Sequence, residues 1–192
     1  MRKILTMLLM IAMTLLTGCG GDSAKSETPA AEAAKNTTLV AYFSCTGNTK
    51  TLAENAAIVL DADLYEIKAK VPYTAEDLDW HNEQSRSTIE MNDDSLRPEI
   101  DGTIENFAQY NTVVIAYPIW WHQAPRIIDT FVESYDWSGK KVLPICTSGG
   151  SDIGTSASYI ANLAKSGDWK EGHCFFNRTA AGEVQEWAKG IQ

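Results

Sequence analysis

The sequence predicts an α/β protein built on a doubly wound, five-stranded parallel sheet. From residue 38 onward, five short apolar runs alternate with stretches of helical periodicity, and no internal repeat is visible. This alternation favours parallel pairing, because a crossover helix returns the chain to the end of the sheet where the previous strand began, so the next strand runs in the same direction. The length of 192 residues and the hydrophobic content of 44% indicate one domain with a real core plus additional length.

The first half of the predicted sheet comes from residues 39–43 and 64–67. Residues 39–43 form a continuous apolar run, which is typical of a strand that is buried on both faces. A helix follows over residues 51–60, because its apolar residues recur on one face. Residues 64–67 alternate in polarity and therefore predict the second strand.

The next segment, residues 68–110, is long and polar, and it contains Trp80. A crossover helix must lie inside it, because the strands on either side are predicted to be parallel. Residues 82–91 are the candidate for that helix, and a turn is predicted near Arg97 and Pro98.

The second half of the sheet is predicted from the apolar runs 112–117, 141–146 and 173–176. A helix is expected to begin near Pro125, because proline suits the first turn of a helix. Two further helices follow the fourth and fifth strands. The core faces of these three helices are predicted to be Ile127, Ile128, Phe131 and Val132, then Ile153, Ala157, Ile160, Ala161 and Ala164, then Val184, Trp187, Ala188 and Ile191.

Residues 1–18 are predicted to be a signal peptide rather than part of the fold. Arg2 and Lys3 give a basic start, and the apolar run 4–16 is too short for a comfortable membrane span. A glycine directly precedes Cys19, which resembles the bacterial lipoprotein signal. The resemblance implies cleavage before Cys19 and attachment of lipid to its thiol. The alternative is an ordinary secretory signal with an incidental cysteine.

Residues 19–36 are predicted to form a disordered tether that leads to the folded domain, residues 37–192. The tether is rich in small and charged residues, contains Pro29 and has no large apolar residue, so it cannot bury enough surface to fold. Acyl chains supply membrane affinity. We therefore expect the domain to lie outside the cytoplasm, anchored by lipid to the cell membrane, with the choice between inner and outer membrane left open.

Charge and cysteine content exclude two classes of site. The formal net charge of −9 argues against nucleic acid as a partner, because phosphate contacts need lysine and arginine. If Cys19 carries lipid, then Cys45, Cys146 and Cys174 remain, and their odd number leaves at least one thiol free or paired between molecules. No clustered cysteine or histidine spacing indicates a metal site.

Three loops with unusual composition leave the carboxyl ends of predicted strands. They cover residues 44–50, 117–125 and 147–154. Doubly wound folds bind their ligands beyond the carboxyl ends of the strands, near the point where the strand order reverses. The three loops are therefore expected to meet around one ligand.

The loop over residues 44–49 is typical of an anion site. It joins a buried strand to a helix and has the sequence Ser-Cys-Thr-Gly-Asn-Thr. Small residues let successive backbone N–H groups converge on an anion, and a helix N-terminus adds about half a positive charge. The Walker A and Gly-x-Gly-x-x-Gly patterns are both absent from the loop. Taken alone, it is also compatible with a simple run of helix-capping residues.

The segment Thr46-Gly47-Asn48-Thr49, preceded by Ser44, resembles the FMN phosphate loop of the flavodoxin family. The resemblance continues in Tyr117-Pro118-Ile119-Trp120-Trp121 and in Thr147-Ser148-Gly149-Gly150-Ser151, which correspond to the segments that flank the flavin ring in that family. It implies a flavodoxin-like fold with strand order 2-1-3-4-5 and FMN as the cofactor. The implied cofactor-binding residues are Ser44, Cys45, Thr46, Gly47, Asn48, Thr49, Pro118, Ile119, Trp120, Trp121, Thr147, Ser148, Gly149 and Gly150.

The same resemblance places one of Trp120 and Trp121 beside the flavin, and Trp120 is the preferred one. The alternative is that both tryptophans pack under a long loop. The third loop has no aromatic residue before Tyr159, which predicts that one flavin face is open. His122 either donates a hydrogen bond to the flavin or to a substrate, or is simply a solvated loop residue. Cys45 is interpreted as a small loop residue rather than a nucleophile.

The predicted function is FMN-dependent electron transfer by a membrane-anchored protein outside the cytoplasm. The flavin performs the chemistry, so no catalytic side chain is assigned. The expected partner is a redox protein or a quinone-like small molecule. One alternative is an FMN-dependent NAD(P)H or quinone oxidoreductase. A second is a lipoprotein that binds no flavin but another phosphate compound or a protein partner. The electron donor, the electron acceptor and the oligomeric state are left open.

Overall fold

Residues 37–176 and 181–191 are described by the computed structural model. The predicted signal peptide, the tether and Cys19 lie outside these residues. The strands are β1 (Thr37–Tyr42), β2 (Asp63–Glu66), β3 (Lys68–Ala69), β4 (Ile100–Asp101), β5 (Tyr110–Pro118), β6 (Lys141–Ser148), β7 (Asp168–Trp169) and β8 (His173–Phe176). The helices are α1 (Asn48–Leu60), α2 (Arg86–Asn92), α3 (Arg126–Glu133), α4 (Ser156–Ala164) and α5 (Ala181–Lys189).

The main sheet runs in the order β2-β1-β5-β6, and both β7 and β8 pair with β6 at the far side. All of these pairings are parallel. β7 pairs with the start of β6 and β8 with its end, so the two pieces act as one interrupted fifth strand. The predicted α/β class, the doubly wound parallel sheet and the order 2-1-3-4-5 are confirmed, with β5 and β6 as the third and fourth strands.

Successive side chains of the central strands face opposite helical layers, as the period of two in a strand requires. On β1, Leu39 and Ala41 join the cluster that contains the core residues of α3 and α4. Val40 and Tyr42 join the cluster formed with α1 and α5. Residues 113–117 of β5 are completely buried. The sheet is therefore covered by helices on both faces, which explains why its strands read as continuous apolar runs.

The segment between β2 and β5 contains structure that the sequence only partly predicts. β3 and β4 pair antiparallel and close a short ribbon, from which residues 70–99 project. The predicted helix exists as α2, but it begins at Arg86 rather than near residue 82. The hydroxyl of Ser85 accepts the N–H of Thr88, so Ser85 caps this helix and sets its start.

Arg126 attaches this segment to the rest of the fold. Its guanidinium donates to the carbonyl oxygens of Glu90 (3.2 Å) and Met91 (3.3 Å), which lie in the last turn of α2. Carbonyls in the last turn of a helix lack the usual intrahelical partners. The Glu90 carbonyl also accepts the N–H of Asp93 at 3.4 Å, and the arginine adds a side-chain donor to both carbonyls. The same side chain donates to Asp129 on α3 at 3.2 Å. Residues 86–92 are thus held against α3.

Within the ranges 37–176 and 181–191, none of the helices has both the length and the apolar character needed to cross a bilayer.

Candidate functional site

The switch point of the sheet lies between β1 and β5, because the chain leaves β1 towards β2 and later returns to β5 on the other side of β1. A crevice forms beyond the carboxyl ends of such strands. The loops that follow β1, β5 and β6 all open at this crevice. The three loops singled out in the sequence therefore meet there, as expected.

The loop after β1 presents the N-terminus of α1 to the crevice. Gly47 is the residue before the helix and has φ of +89°, a left-handed conformation that glycine adopts without strain. Its N–H donates to the hydroxyl of Ser44 at 3.1 Å, which closes the loop. No side chain caps the helix, so the N–H groups of its first turn lack the usual partner. Such a helix end favours an anion.

Hydroxyl groups link this helix end to the loop after β6. The side-chain oxygens of Thr49 and Thr147 lie 2.7 Å apart and are both buried. This hydrogen bond fixes the first turn of α1 against the last residues of β6. The hydroxyl of Thr46 accepts from the amide of Asn48 at 3.3 Å. The cluster offers neutral donors, and the nearby Lys50 is exposed and lies 3.9 Å from Glu54.

The loop after β5 forms a tight turn that carries both tryptophans. Trp120 and Gln123 exchange two backbone hydrogen bonds of 2.9 Å. Trp121 and His122 between them have φ of +45° and +65°. Two consecutive residues with positive φ are typical of a type I′ turn, which usually uses glycine or asparagine. Bulky residues in this conformation are strained, and such strain concentrates at ligand-binding sites.

Trp120 and Trp121 differ in their surroundings. The Trp120 ring is half-buried and meets Phe43 and Tyr73 edge-on, with ring centroids 5.7 and 5.5 Å apart. Trp121 is 40% exposed. Both rings line the same cavity. The Trp120 ring therefore has a fixed orientation, as expected of a side chain that forms one wall of a site for a planar ring. Trp120 also packs against Tyr73 of the 68–110 segment, which is the kind of contact that the alternative interpretation describes.

The loop after β6 is ordered by Ser148. Its hydroxyl accepts the N–H groups of Gly150 (3.2 Å) and Ser151 (2.9 Å). The backbone of this loop also joins the previous one, because Ile119 donates its N–H to the carbonyl of Thr147 at 2.9 Å. The second and third loops are thus connected directly, and they form adjacent walls of the crevice.

The 68–110 segment supplies a further wall. Leu78, Trp80 and Ser87 line the cavity. Trp80 is 65% exposed, which is unusual for so large an apolar side chain. The hydroxyl of Ser87 is buried and has no hydrogen-bond partner among the described residues. A buried polar group without a partner costs about 1–3 kcal/mol, so a ligand that satisfies it gains affinity.

The cavity enclosed by these elements has a volume of 570 Å³, well within the range of about 300–1,000 Å³ for small-molecule and cofactor sites. One part is lined by hydroxyls and the N-terminus of α1, and another by aromatic rings. This combination fits a ligand with a phosphate at one end and a planar ring at the other. The orphaned Ser87 hydroxyl and the uncapped helix are the two features that such a ligand would satisfy. The lining residues are Cys45, Thr46, Asn48, Thr49, Leu78, Trp80, Ser87, Pro118, Ile119, Trp120, Trp121, His122, Thr147, Ser148, Gly149 and Ser151.

The predicted site residues divide into two groups. Eleven of the fourteen line the cavity, and Ser44, Gly47 and Gly150 do not. These three instead shape the loops: Ser44 and Gly47 hydrogen-bond to each other, and Gly150 donates to Ser148. Sequence reasoning assigned no role to Leu78 or Ser87. In the sequence, the signal that points to this extra wall is the presence of a tryptophan, Trp80, in an otherwise polar segment.

The side chain of Cys45 lies inside the loop before α1, and burial raises its pKa to about 12. The nearby Arg86 lowers the pKa, but its effect is smaller than that of burial. The thiol is therefore protonated at neutral pH, which agrees with its interpretation as a loop residue rather than a nucleophile. No group of three or more potential metal ligands occurs in the part of the chain that the structure describes.

Comparison with known proteins identifies the family. The family model described as flavodoxin matches residues 37–191. A candidate flavoprotein of known structure from Bacteroides eggerthii is 46% identical, with a TM-score of 0.76, and the match covers 82% of this chain and 98% of that one. A second, from Bacteroides uniformis, is 42% identical with a TM-score of 0.77, covering 80% of this chain and 98% of that one.

A more distant structure shares the fold alone. The flavoprotein from Lactobacillus acidophilus, solved in complex with FMN, is 21% identical with a TM-score of 0.58, and covers 80% of this chain and 99% of that one. No curated protein matches the chain. The family match over the whole described domain, together with the two Bacteroides structures, shows that this chain belongs to the flavodoxin family.

Proposed function

We propose that the chain binds FMN in the cavity beyond the carboxyl ends of β1, β5 and β6 and acts in electron transfer. The observation that carries the proposal is the pairing of an uncapped helix N-terminus with an aromatic wall in one cavity of 570 Å³. Membership of the flavodoxin family supports it, as does the FMN complex of the Lactobacillus acidophilus flavoprotein.

The residues have distinct roles in this proposal. Thr46, Asn48 and Thr49 hold the phosphate through backbone N–H groups and hydroxyls, without a cationic side chain in the loop. Trp120 contacts the flavin ring from one side. Phe43 and Tyr73 hold the Trp120 side chain in the orientation that this contact needs. The flavin supplies the one- and two-electron redox chemistry, and the protein supplies binding, orientation and electrostatics.

Comparing FMN with riboflavin tests the role of the phosphate loop. Each ligand is titrated into the purified protein while flavin fluorescence is followed. We expect micromolar or tighter binding of FMN with quenching, and roughly 100-fold weaker binding of riboflavin, equivalent to about 2.7 kcal/mol. Equal affinities would contradict a phosphate site at α1. If no complex forms at micromolar FMN, the proposal fails, and the alternative of a lipoprotein that binds another phosphate compound or a protein partner gains support.

Steady-state kinetics separate a carrier from a reductase. The FMN-loaded protein is incubated with NADH or NADPH and a quinone, and the nicotinamide absorbance is followed. We expect no turnover. At the proposed location outside the cytoplasm, NADH and NADPH are scarce, so the protein has no use for a site that binds them. Sustained oxidation that requires the quinone would instead support the alternative of an FMN-dependent oxidoreductase. A redox partner protein or a quinone-like molecule remains the proposed partner.

Membrane attachment through Cys19 is part of the same proposal. It is supported by the basic and apolar leader and by the glycine directly before Cys19. The full-length chain is expected in the membrane fraction of a bacterial host, bearing lipid at its mature N-terminus by mass spectrometry. Cys19→Ser should lose the lipid. In the same fractionation, this variant should no longer be found in the membrane fraction. An unaltered chain without lipid would contradict the anchoring proposal.

A further inference from the structure

Cys146 and Cys174 are neighbours across two parallel strands. Cys146 lies in β6 and Cys174 in β8, and they are direct register partners. Register partners in adjacent strands point to the same face of the sheet, and the strands lie about 4.8 Å apart. Disulfides span Cα–Cα distances of about 4.4–6.8 Å, so the backbone spacing of the two cysteines is compatible with a disulfide bond. Neither cysteine is bonded in the structure.

The two thiols also interact with each other. Burial raises the pKa of Cys146, and its hydrogen bond to Cys174 raises that pKa further. The same hydrogen bond lowers the pKa of Cys174, although burial raises it overall. Cys174 is half-buried while Cys146 is completely buried. Cys174 is thus the thiol that an external reagent reaches first, and Cys146 stands behind it.

The position of β8 in the sheet favours a bond that forms and breaks reversibly. β8 has four residues and pairs with β6 alone among the described strands, so no second strand in that part of the chain restrains its spacing from β6. Side chains of register partners in parallel strands project side by side. Their Cβ atoms therefore stay nearly as far apart as the strands, slightly more than the 3.5–4.5 Å that a disulfide prefers. A bond formed under such a constraint is more easily reduced than a structural disulfide.

The pair is coupled to the third loop of the cavity. The thiol of Cys174 donates to the carbonyl oxygen of Ser151 at 3.4 Å. Ser151 lines the cavity, and its own N–H donates to Ser148. A disulfide has no thiol hydrogen, so oxidation removes the donor that holds this carbonyl. The oxidation state of the pair is therefore transmitted to a wall of the cavity.

We propose that Cys146 and Cys174 form a reversible dithiol–disulfide pair whose oxidation loosens the loop around Ser151. The oxidant is a small disulfide of the glutathione class. Cys174 loses its proton and attacks one sulfur of that disulfide, which releases one thiolate. Cys146 then loses its proton and attacks the Cys174 sulfur of the mixed disulfide, which releases the second thiolate. The two protons pass to the released thiolates, so two cysteine thiols are oxidised and one external disulfide bond is reduced.

Peptide mapping of the full chain tests the bond. After incubation with oxidised glutathione and blocking of free thiols, trypsin should release residues 142–165 joined to residues 171–178, with the loss of two hydrogen atoms. Dithiothreitol should separate them. Cys45→Ser should keep this linkage, whereas Cys146→Ser should stop at one glutathione on Cys174.

Several results would overturn the proposal. They are a folded protein that stays fully reduced, a native protein that stops at the mixed disulfide, and a linkage that uses Cys45 instead. Hydrogen exchange measures the coupling to the loop. We expect the amides of residues 148–154 to exchange about two- to ten-fold faster in the oxidised protein, as expected for one lost hydrogen bond. Equal exchange in both states would refute the coupling.

Discussion

The hydrogen bond between Thr49 and Thr147 provides a direct test of how the site is assembled. It joins the first turn of α1 to the end of β6, and the two side chains are 1% and 8% exposed. Thr147→Val keeps the shape of the side chain and removes its hydroxyl. The hydroxyl of Thr49 is then buried without its partner, and so is that of Thr147 in the reverse variant, Thr49→Val.

The expected cost follows from this asymmetry. A buried hydroxyl that loses its partner costs about 1–3 kcal/mol, whereas replacing both partners by apolar groups of the same shape is nearly neutral. Each single variant should therefore be destabilised by about 1–3 kcal/mol. The double variant should lose much less than the sum of the two; if it is nearly neutral, the coupling energy approaches that sum and is at least about 2 kcal/mol.

Urea unfolding of the four proteins without FMN measures this cycle. The free energies of unfolding should show strong non-additivity, and the slope against urea should not change, because the folded state is the same. The exposed pair Lys50 and Glu54, 3.9 Å apart, serves as a control cycle. Its coupling should be below about 1 kcal/mol, as for most surface ion pairs. Additive losses at Thr49 and Thr147 would refute the reasoning.

Three further predictions concern single residues. Gly47→Ala should destabilise the protein by about 1–2 kcal/mol in urea unfolding, because Gly47 has φ of +89° while no atom lies within 4 Å of an added Cβ; an unchanged free energy would show that the backbone relaxes. Burial raises the pKa of Asp129 to about 6, so the folded state binds this proton more tightly than the unfolded chain does. The contribution of Asp129 to the free energy of unfolding is therefore greatest below about pH 4 and is lost as the pH rises through about 6. Asp129→Asn should therefore remove a decline of about 3 kcal/mol from the stability profile over that interval, and a constant difference between the two profiles would contradict it. With its pKa raised to about 12 by burial, Cys45 should have a thiolate fraction of about 10⁻⁴ at pH 8 and react with iodoacetamide far more slowly than the same thiol in urea; equal rates would contradict the buried position.

Much of the fold could be predicted because its signals are local. Residues 39–43 are apolar at every position, since the strand is covered on both faces, and the run predicts β1 within two residues at the start and one at the end. The small residues around Gly47 predict a turn into a helix, and that turn is where α1 begins. α2 was placed less well, because its seven residues are too few for a clear period.

The cavity was predicted in part for the same reason. The three loops follow strands whose carboxyl ends meet at one edge, so their convergence follows from topology alone. Ser87 could not be found this way. Ser87 lies in α2, and the end of this helix is held against α3 by Arg126, which is 36 residues from Glu90 in the sequence. An isolated serine in a polar segment carries no sign of such a contact.

The sequence by itself determined the order of strands and helices, the three ligand loops and the family resemblance, because each depends on a short run of residues. The tertiary structure alone decided that Ser87 completes the cavity wall and that Cys146 meets Cys174. Both depend on pairings between distant parts of the chain. A shift of one residue in the register of β8 would send Cys174 to the opposite face of the sheet, so only the long-range packing of that strand makes the two thiols neighbours.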